Sequence, residues 1–403
     1  MVVPESSKIR FIVDALLPWY AKNARDLPWR RTRDPYLIAV AEIMLQQTQV
    51  KTVIPYWERW MQALPTIAAA AQAPSDQIHK LWEGLGYYTR VRNLQKAAQV
   101  IVTQHGGQFP EDYEAVLALP GIGRYTAGAI CSIAFNQPAP ILDGNVIRVL
   151  TRVFGIAENP KEKATNARLW ELAAALVSQA VAGGSAPAPG VAGRAPASGI
   201  RLAIKEKLDA TDSSASGFSA RARKTAPGAG ALTRASFLNQ SLMELGALIC
   251  TPRHPQCLLC PVQQLCVACR EGRTEALPNL GERAAATPRA FMAFVLEHQG
   301  KVLVRQRPAG VVNAHLWEFP NAETTAKNPD PQTVFQELFQ VKPPALRRLC
   351  EIKHSITRYR ITLAVHQGRL ARRPAKLTGR WVGREQLAEL AFAAAHKKVA
   401  GVL

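Results

Sequence analysis

Four cysteines crowd into one short stretch as Cys250-x6-Cys257-x2-Cys260-x5-Cys266. Soft thiolates in one loop are a ligand set for iron, because each iron of a [4Fe–4S] cluster takes one such ligand. Zinc also accepts four thiolates, although its usual pattern is two separated C-x-x-C pairs. Cys269 lies just past the motif and outside its spacing, while Cys131 and Cys350 stand alone. Five of the seven cysteines fall within twenty residues. A disulfide framework is not distributed that way, so a metal or cluster site is the better expectation.

A second constellation is Leu119-Pro120-Gly121-Ile122-Gly123-Arg124-Tyr125-Thr126-Ala127. Gly121 and Gly123 permit a tight hairpin whose backbone N–H groups approach a phosphate at the next helix N-terminus. An ordinary glycine-terminated helix-turn-helix would read the same way, so the motif gains meaning from its surroundings. Eighteen residues after Tyr125 comes Asp143-Gly144-Asn145-Val146-Ile147-Arg148. Asp-Gly alone is a common surface turn. Hairpin, D-G-N and the cysteine loop together make a specific constellation.

Those groups need a scaffold. Residues 1–180 read as a string of helices, with apolar residues at helical spacing in KIRFIVDALLPWYAKN and PYLIAVAEIMLQQTQVKTVIPYWERWMQAL and no period-2 pattern. From about residue 183 to 232 the chain turns rich in Ala, Gly, Pro and Ser. A disordered insertion is expected there, with a helical turn or two at IRLAIKEKL. Helical pattern resumes at ASFLNQSLMELGALIC and runs into the cysteines. Residues 271–288 read as a linker. Beyond 289, AFMAFVLEHQGKVLVRQRP reads as two strands joined at Gln-Gly, and YRITLAVHQGRL as a third. The expected architecture is a mainly α region over 1–270 and a separate α+β domain over 289–403.

The chain carries a net charge of +20, with 50 Lys+Arg against 30 Asp+Glu, which points to an acidic partner. The excess is uneven: +3 over 1–150, +1 over 151–182, +5 over 183–234, 0 over 235–288 and +11 over 289–403. No apolar run is long enough to span a bilayer, which argues against a membrane protein. The opening MVVPESSKIRF has no signal-peptide core. An intracellular protein is expected, cytoplasmic if bacterial.

Taken together, these motifs resemble the helix-hairpin-helix DNA glycosylase superfamily, and within it the adenine DNA glycosylase (MutY) family. The resemblance covers about 1–180, 235–270 and, more loosely, 289–403. Arg25-Asp26-Leu27-Pro28-Trp29-Arg30, Glu42-Ile43-Met44-Leu45-Gln46-Gln47-Thr48-Gln49-Val50 and Gly84-Leu85-Gly86-Tyr87-Tyr88 carry it most specifically. It implies a helix-hairpin-helix glycosylase region with a [4Fe–4S] loop held by Cys250, Cys257, Cys260 and Cys266, followed by a Nudix-like lesion-recognition domain. It also implies hydrolysis of the N-glycosidic bond of adenine opposite 8-oxoguanine or guanine in duplex DNA. A monomer is expected. Endonuclease III-type enzymes place a Schiff-base lysine just after the hairpin; this sequence has Tyr125, which cannot form an imine. A monofunctional glycosylase is therefore favoured over the alternative, an endonuclease III-like oxidised-pyrimidine glycosylase/lyase. A non-catalytic iron–sulfur DNA-binding protein is the third reading, and intact Glu42 and Asp143 speak against it.

Adenine removal needs a proton for the leaving group and stabilisation of a cationic sugar. Glu42, on the apolar stretch IAVAEIML, fits the acid, because burial raises a carboxyl pKa. Asp143 fits the carboxylate facing the sugar, and the resemblance implies a transient covalent bond there. Tyr125 and Asn145 match family positions that hydrogen-bond around these two groups. Arg25, Trp29, Arg30, Leu45 and Val50 match the adenine pocket, with Gln240 on its far side. Gln47, Thr48, Leu85 and Tyr87 match positions that wedge the duplex once the base is extruded, and Gly121 and Gly123 match the phosphate-gripping turn. In the C-terminal domain the segment NPDPQTVFQELFQV keeps only Glu337 of the acidic run that a Nudix hydrolase needs for magnesium, so hydrolysis there is not expected. Where the family's recognition loop reads Phe-Ser-His, this chain reads Ile356-Thr357-Arg358; Ser355, Thr357 and Arg358 remain the expected lesion contacts.

Overall fold

The computed structural model describes residues 4–183, 234–282, 285–325, 329–356 and 358–403. The insertion expected over 183–232, its IRLAIKEKL turns and Thr357 lie outside the described residues, apart from Gly183 at the end of a helix. The chain divides into two units, Met1–Ala71 with Leu94–Gly281 and Gln72–Asn93 with Glu282–Leu403. Among the described residues no helix is long and apolar enough to cross a membrane.

The helices, in chain order, are α1 (Glu5–Asn23), α2 (Pro35–Leu45), α3 (Val50–Ala63), α4 (Ile67–Gln72), α5 (Ser75–Trp82), α6 (Thr89–Gln104), α7 (Tyr113–Leu117), α8 (Arg124–Ala134), α9 (Gly144–Phe154), α10 (Lys163–Ala182), α11 (Arg234–Leu248) and α12 (Val267–Arg270). In the first unit α11 packs against α1, α8, α9 and α10, while α2 packs against α3 and α8. The start of α2 is set locally: Asp34 accepts the Tyr36 N–H at 2.8 Å, and Pro35 fits the first turn. Its residues Ile38 to Met44 are all buried, which is what a helix apolar on every side requires. One carboxylate, Glu42, is carried inside with them. Between α7 and α8 the chain turns at Gly121, whose φ of 77° lies in the left-handed region that glycine adopts without strain. Buried Leu119 and Ile122 pin that turn from below, completing the expected helix-hairpin-helix.

The second unit contains a seven-stranded sheet: β1 (Thr287–His298), β2 (Lys301–Gln306), β3 (Trp317–Glu318), β4 (Asn321–Thr324), β5 (Leu346–Ile356), β6 (Tyr359–Arg369) and β7 (Arg380–Gly383). The order is β3-β2-β1-β6-β5, with β4 on β1 and β7 on β2; β1 and β6 run parallel. The Gln299-Gly300 turn joins β1 to β2 with both φ angles positive, 47° and 72°, as a two-residue hairpin prefers. Met292 to Leu296 of β1 are buried without a break, because both sheet faces are covered. One face packs Phe335 and Phe339 of α13 (Pro331–Phe339). The other packs Phe392, Ala395 and Val399, the last two on α14 (Ala394–Ala400).

Candidate active site

The helices of the first unit enclose a cleft of about 730 Å³. Arg25, Trp29, Arg30, Leu45, Val50 and Gln240, the residues expected to form an adenine pocket, all line it. So do Glu42, Tyr125, Asp143 and Asn145, together with Gln47, Thr48, Gly121 and Gly123. Residues spread over two hundred positions of sequence thus meet in one cavity of the size that takes a small ligand.

On α2, Glu42 is 4% exposed. Tyr125, one residue into α8, donates its hydroxyl to Glu42 Oε2 at 2.6 Å. Burial pushes the Glu42 carboxyl up to about 7; the Tyr125 hydrogen bond opposes that rise and the charge of Asp143 reinforces it. Tyr125 is itself held well above its ordinary range by burial, so it stays a neutral donor. Its oxygen also lies 3.4 Å from Met243 Sδ. A carboxylic acid poised near neutrality in an enclosed cleft is the arrangement general-acid catalysis uses.

Asp143 caps α9. Its Oδ1 accepts the Val146 N–H at 2.7 Å, and its Oδ2 accepts Asn145 Nδ2 at 2.8 Å. Burial raises its pKa, and these hydrogen bonds pull back toward the carboxylate. Asn145 Oδ1 in turn accepts Arg148 Nη2 at 2.8 Å. Arg148 also donates to Gly246 O and, through Nε, to Cys250 O, each at 2.7 Å. A Cβ on Gly246 would come within 2.6 Å of Asn145 Cβ, so α11 approaches α9 closely here. The aim of Asp143 is thereby fixed by backbone from two other elements.

Arg25 and Arg30, two of the residues expected around an adenine, are held by a buried carboxylate that the sequence does not single out. Glu244 on α11 accepts Arg25 Nε at 2.8 Å and Arg25 Nη2 at 2.8 Å, and Arg30 Nη2 at 2.8 Å. Burial alone would raise its pKa, but the two guanidiniums hold it down to about 2. Arg30 also lies over the Tyr20 ring, 5.5 Å from its centroid. Gln240 accepts the Tyr20 hydroxyl at 2.9 Å and donates to Ser236 Oγ at 3.1 Å. Trp29 is buried edge-on to Trp57. The one available signal for Glu244 is an acidic residue four positions past Gln240, followed by the apolar run to Leu248.

Gln47 is exposed, with φ at 58°, and Thr48 Oγ1 turns back to Gln46 O at 3.4 Å. In the second unit Tyr87 is 51% exposed while Leu85 is only 7% exposed. Of the four residues expected to wedge the duplex, Gln47 and Tyr87 are exposed and Leu85 is buried. Ser355 lies on β5 opposite Arg360, and Arg358 begins the return into β6, so the expected recognition loop is the tip of a β-hairpin. The Arg289 and Arg358 guanidiniums each lie over the Tyr359 ring, at 5.1 and 5.3 Å from its centroid.

The four motif cysteines line one cavity with Val149, Arg152 and Cys269. Cys260 is pushed up to about 12 by burial and by the charges its neighbouring cysteines would carry; Cys257 rises to about 11, through burial and Cys269. Thiols gathered this closely, with Cys257, Cys260 and Cys266 each disfavoured as free thiolates, are a donor set completed by cationic iron. Arg152 Nη1 lies 3.4 Å from Cys250 Sγ, and Cys266 Sγ lies 3.5 Å from Arg152 O.

Residues 40–175 match the family model of HhH-GPD superfamily base excision DNA repair proteins, and residues 291–401 match a NUDIX domain. Residues 250–266 match the iron-sulfur binding domain of endonuclease III, a span that leaves Cys269 outside. The loop is therefore a [4Fe–4S] site. The chain is 33% identical to the adenine DNA glycosylase of Rattus norvegicus, over 95% of this chain and 76% of that protein. Against the Homo sapiens adenine DNA glycosylase the identity is 32%, over 96% and 72%. Against that of Buchnera aphidicola (Schizaphis graminum) it is 32%, over 77% and 75%.

Proposed function

The chain belongs to the adenine DNA glycosylase family, and we propose that it is a monofunctional enzyme excising adenine opposite 8-oxoguanine or guanine from duplex DNA. The observation that carries the reading is the Glu42–Tyr125 pair, a buried acid poised near neutrality whose hydrogen-bond partner occupies the place of a lyase lysine. No lysine is among the residues lining the cleft.

In this reading Arg25, Trp29, Arg30, Leu45, Val50 and Gln240 enclose the extruded adenine, with Glu244 fixing both arginines. Glu42 gives its proton to a ring nitrogen. The N-glycosidic bond then breaks, and its electron pair leaves with the base. Asp143, aimed by Asn145, faces the positive charge that develops at the sugar carbon and stabilises it electrostatically. Water adds to that carbon, its proton passes to a carboxylate, and an abasic site remains. Cys250, Cys257, Cys260 and Cys266 would hold the cluster, which when bound replaces four repelling thiols by metal–sulfur bonds that fix the loop.

The region over 1–270, the 271–288 linker and the 289–403 domain are read as catalytic, connecting and lesion-recognising parts of one monomer. Ser355, Thr357 and Arg358 are the proposed lesion contacts. With Glu337 the one acidic residue of α13, that domain is a reader rather than a hydrolase. Residues 183–234 and 289–403 hold +16 of the +20 charge, so phosphate contacts from these parts would make affinity steeply salt-dependent.

The test is a single-turnover panel with A opposite 8-oxoguanine, G and C, with and without alkali. Strand breaks only after alkali, no borohydride-trapped adduct, and loss of excision in E42Q and D143N with retained duplex binding are expected. Efficient trapping, or near-wild-type turnover in either variant, overturns the assignment.

A further inference from the structure

Immediately before the Gly84–Tyr88 loop stands Glu83, a carboxylate whose side chain is 4% exposed. Its partners come from the far end of the chain, within the same unit. Oε1 accepts the Phe392 N–H at 2.9 Å; Oε2 accepts Lys397 Nζ at 2.6 Å and Lys80 Nζ at 2.9 Å. Lys80 also donates to Leu390 O at 3.1 Å. Residues 390–397 are built into the sheet domain: Trp317 N donates to Ala391 O, Ala393 N donates to Trp317 O, and Phe392 stacks on Phe319. A second tie runs from Arg92 Nη1 to Ala314 O at 3.2 Å.

The loop beyond Glu83 is braced upon itself. Trp82 Nε1 donates to Gly86 O at 3.1 Å, and Arg90 Nη2 donates to Leu85 O and Gly86 O, each at 3.1 Å. Gly84 N donates to the Tyr88 hydroxyl at 3.3 Å. Tyr87, at φ 47°, is held out at the tip with Arg90 over its ring. A self-braced loop moves as one piece, so whatever fixes its base sets where Tyr87 points. That base is Glu83.

We propose that Glu83 is a positioning residue that fastens the Tyr87 loop to the lesion-recognising domain, so that the domain's reading of the opposite base decides how firmly Tyr87 seats in the duplex. This rests on the reading of Tyr87 as a wedge and of 289–403 as the 8-oxoguanine reader. On it, Glu83 contributes to the preference for A opposite 8-oxoguanine over A opposite G, and not to bond cleavage.

The experiment compares wild type, E83Q, K397M and Y87A in the full chain on both duplexes, by single-turnover rate and equilibrium affinity, with thermal melting beside them. K397M supplies a variant that folds if E83Q does not, since Lys397 is 54% exposed. E83Q and K397M are expected to lower the 8-oxoguanine preference by about tenfold and a few-fold, as loss of charge-assisted hydrogen bonds would, leaving the rate on A opposite G unchanged. Preference retained in both variants while Y87A loses it overturns the proposal; so does an equal fall on both duplexes, which marks a merely structural role. An unaffected Y87A, or a wild type without preference, sinks the wedge or reader assignment and the proposal with it.

Discussion

Tyr125→Phe removes one oxygen and little else, and what it does to the acid can be worked out in advance. Burial raises Glu42 to about 7 even with the Tyr125 hydroxyl donating to it at 2.6 Å. A hydrogen bond to a charged group contributes about 1.5–3 kcal/mol, and one pKa unit corresponds to about 1.4 kcal/mol. Loss of the hydroxyl therefore lifts Glu42 by about 1–2 units, to about 8–9. A general acid works while protonated, so activity is full below its pKa and is lost as pH rises through it. The alkaline limb of excision should fall near pH 7 in wild type and about 1–2 units higher in Y125F. The variant should outperform wild type, relative to its own plateau, at pH 8. The assay is the rate at limiting DNA across pH 5–10, because that regime reports the free enzyme. An alkaline limb that stays in place, or moves to lower pH, would refute Glu42 as the acid held down by Tyr125.

Three further outcomes follow from the same geometry. Glu42 is raised in the folded chain, so its contribution to stability is present below its unfolded pKa and is lost as pH rises through about 7. E42Q should then be more stable than wild type above pH 8, by up to about 3 kcal/mol, and equal melting at pH 8.5 would contradict this. Glu244→Ala strands Arg25 and Arg30 beside an apolar side chain and should cost about 3–5 kcal/mol in unfolding free energy; urea titration checks it, and a change under about 1 kcal/mol counts against a structural pair. Arg148→Met leaves Asn145 Oδ1, Gly246 O and Cys250 O without that donor. Excision should fall by about tenfold or more with duplex binding retained, and an unchanged single-turnover rate would show that Asp143 needs no such bracing.

Much of the first unit was legible in residue types alone. The hairpin announced itself through Gly121 and Gly123, α9 through the capping Asp143, and Glu42 through the apolar run around it. Local patterns of this kind depend on neighbours a few residues away, which a sequence displays directly. Glu244 and Arg148 were not legible, because their partners lie more than two hundred and about one hundred residues distant and a buried ion pair leaves no periodic trace. The same holds for residues 72–93, which fall within the helical string expected over 1–180. Their allegiance is set by Glu83 and Phe392, 309 positions apart, and nothing in the local spacing encodes it. Leu85 is a related case: a motif match fixes its chemical identity, while its burial, at 7% exposed, is set by the fold around it.

The membership of residues 72–93 in the second unit bears on how this enzyme can be taken apart. In linear order the chain looks like a catalytic half followed by a reader, ready to be cut at the linker. Cutting before Glu282 would leave Glu83 a buried acid stripped of Phe392 and Lys397. Cutting there also leaves the Leu390 and Ala314 carbonyls of the C-terminal piece without the Lys80 and Arg92 donors. The two halves are interleaved rather than modular. A shuffled or split version of this fold must carry the 72–93 segment with the C-terminal piece, or supply a substitute for it.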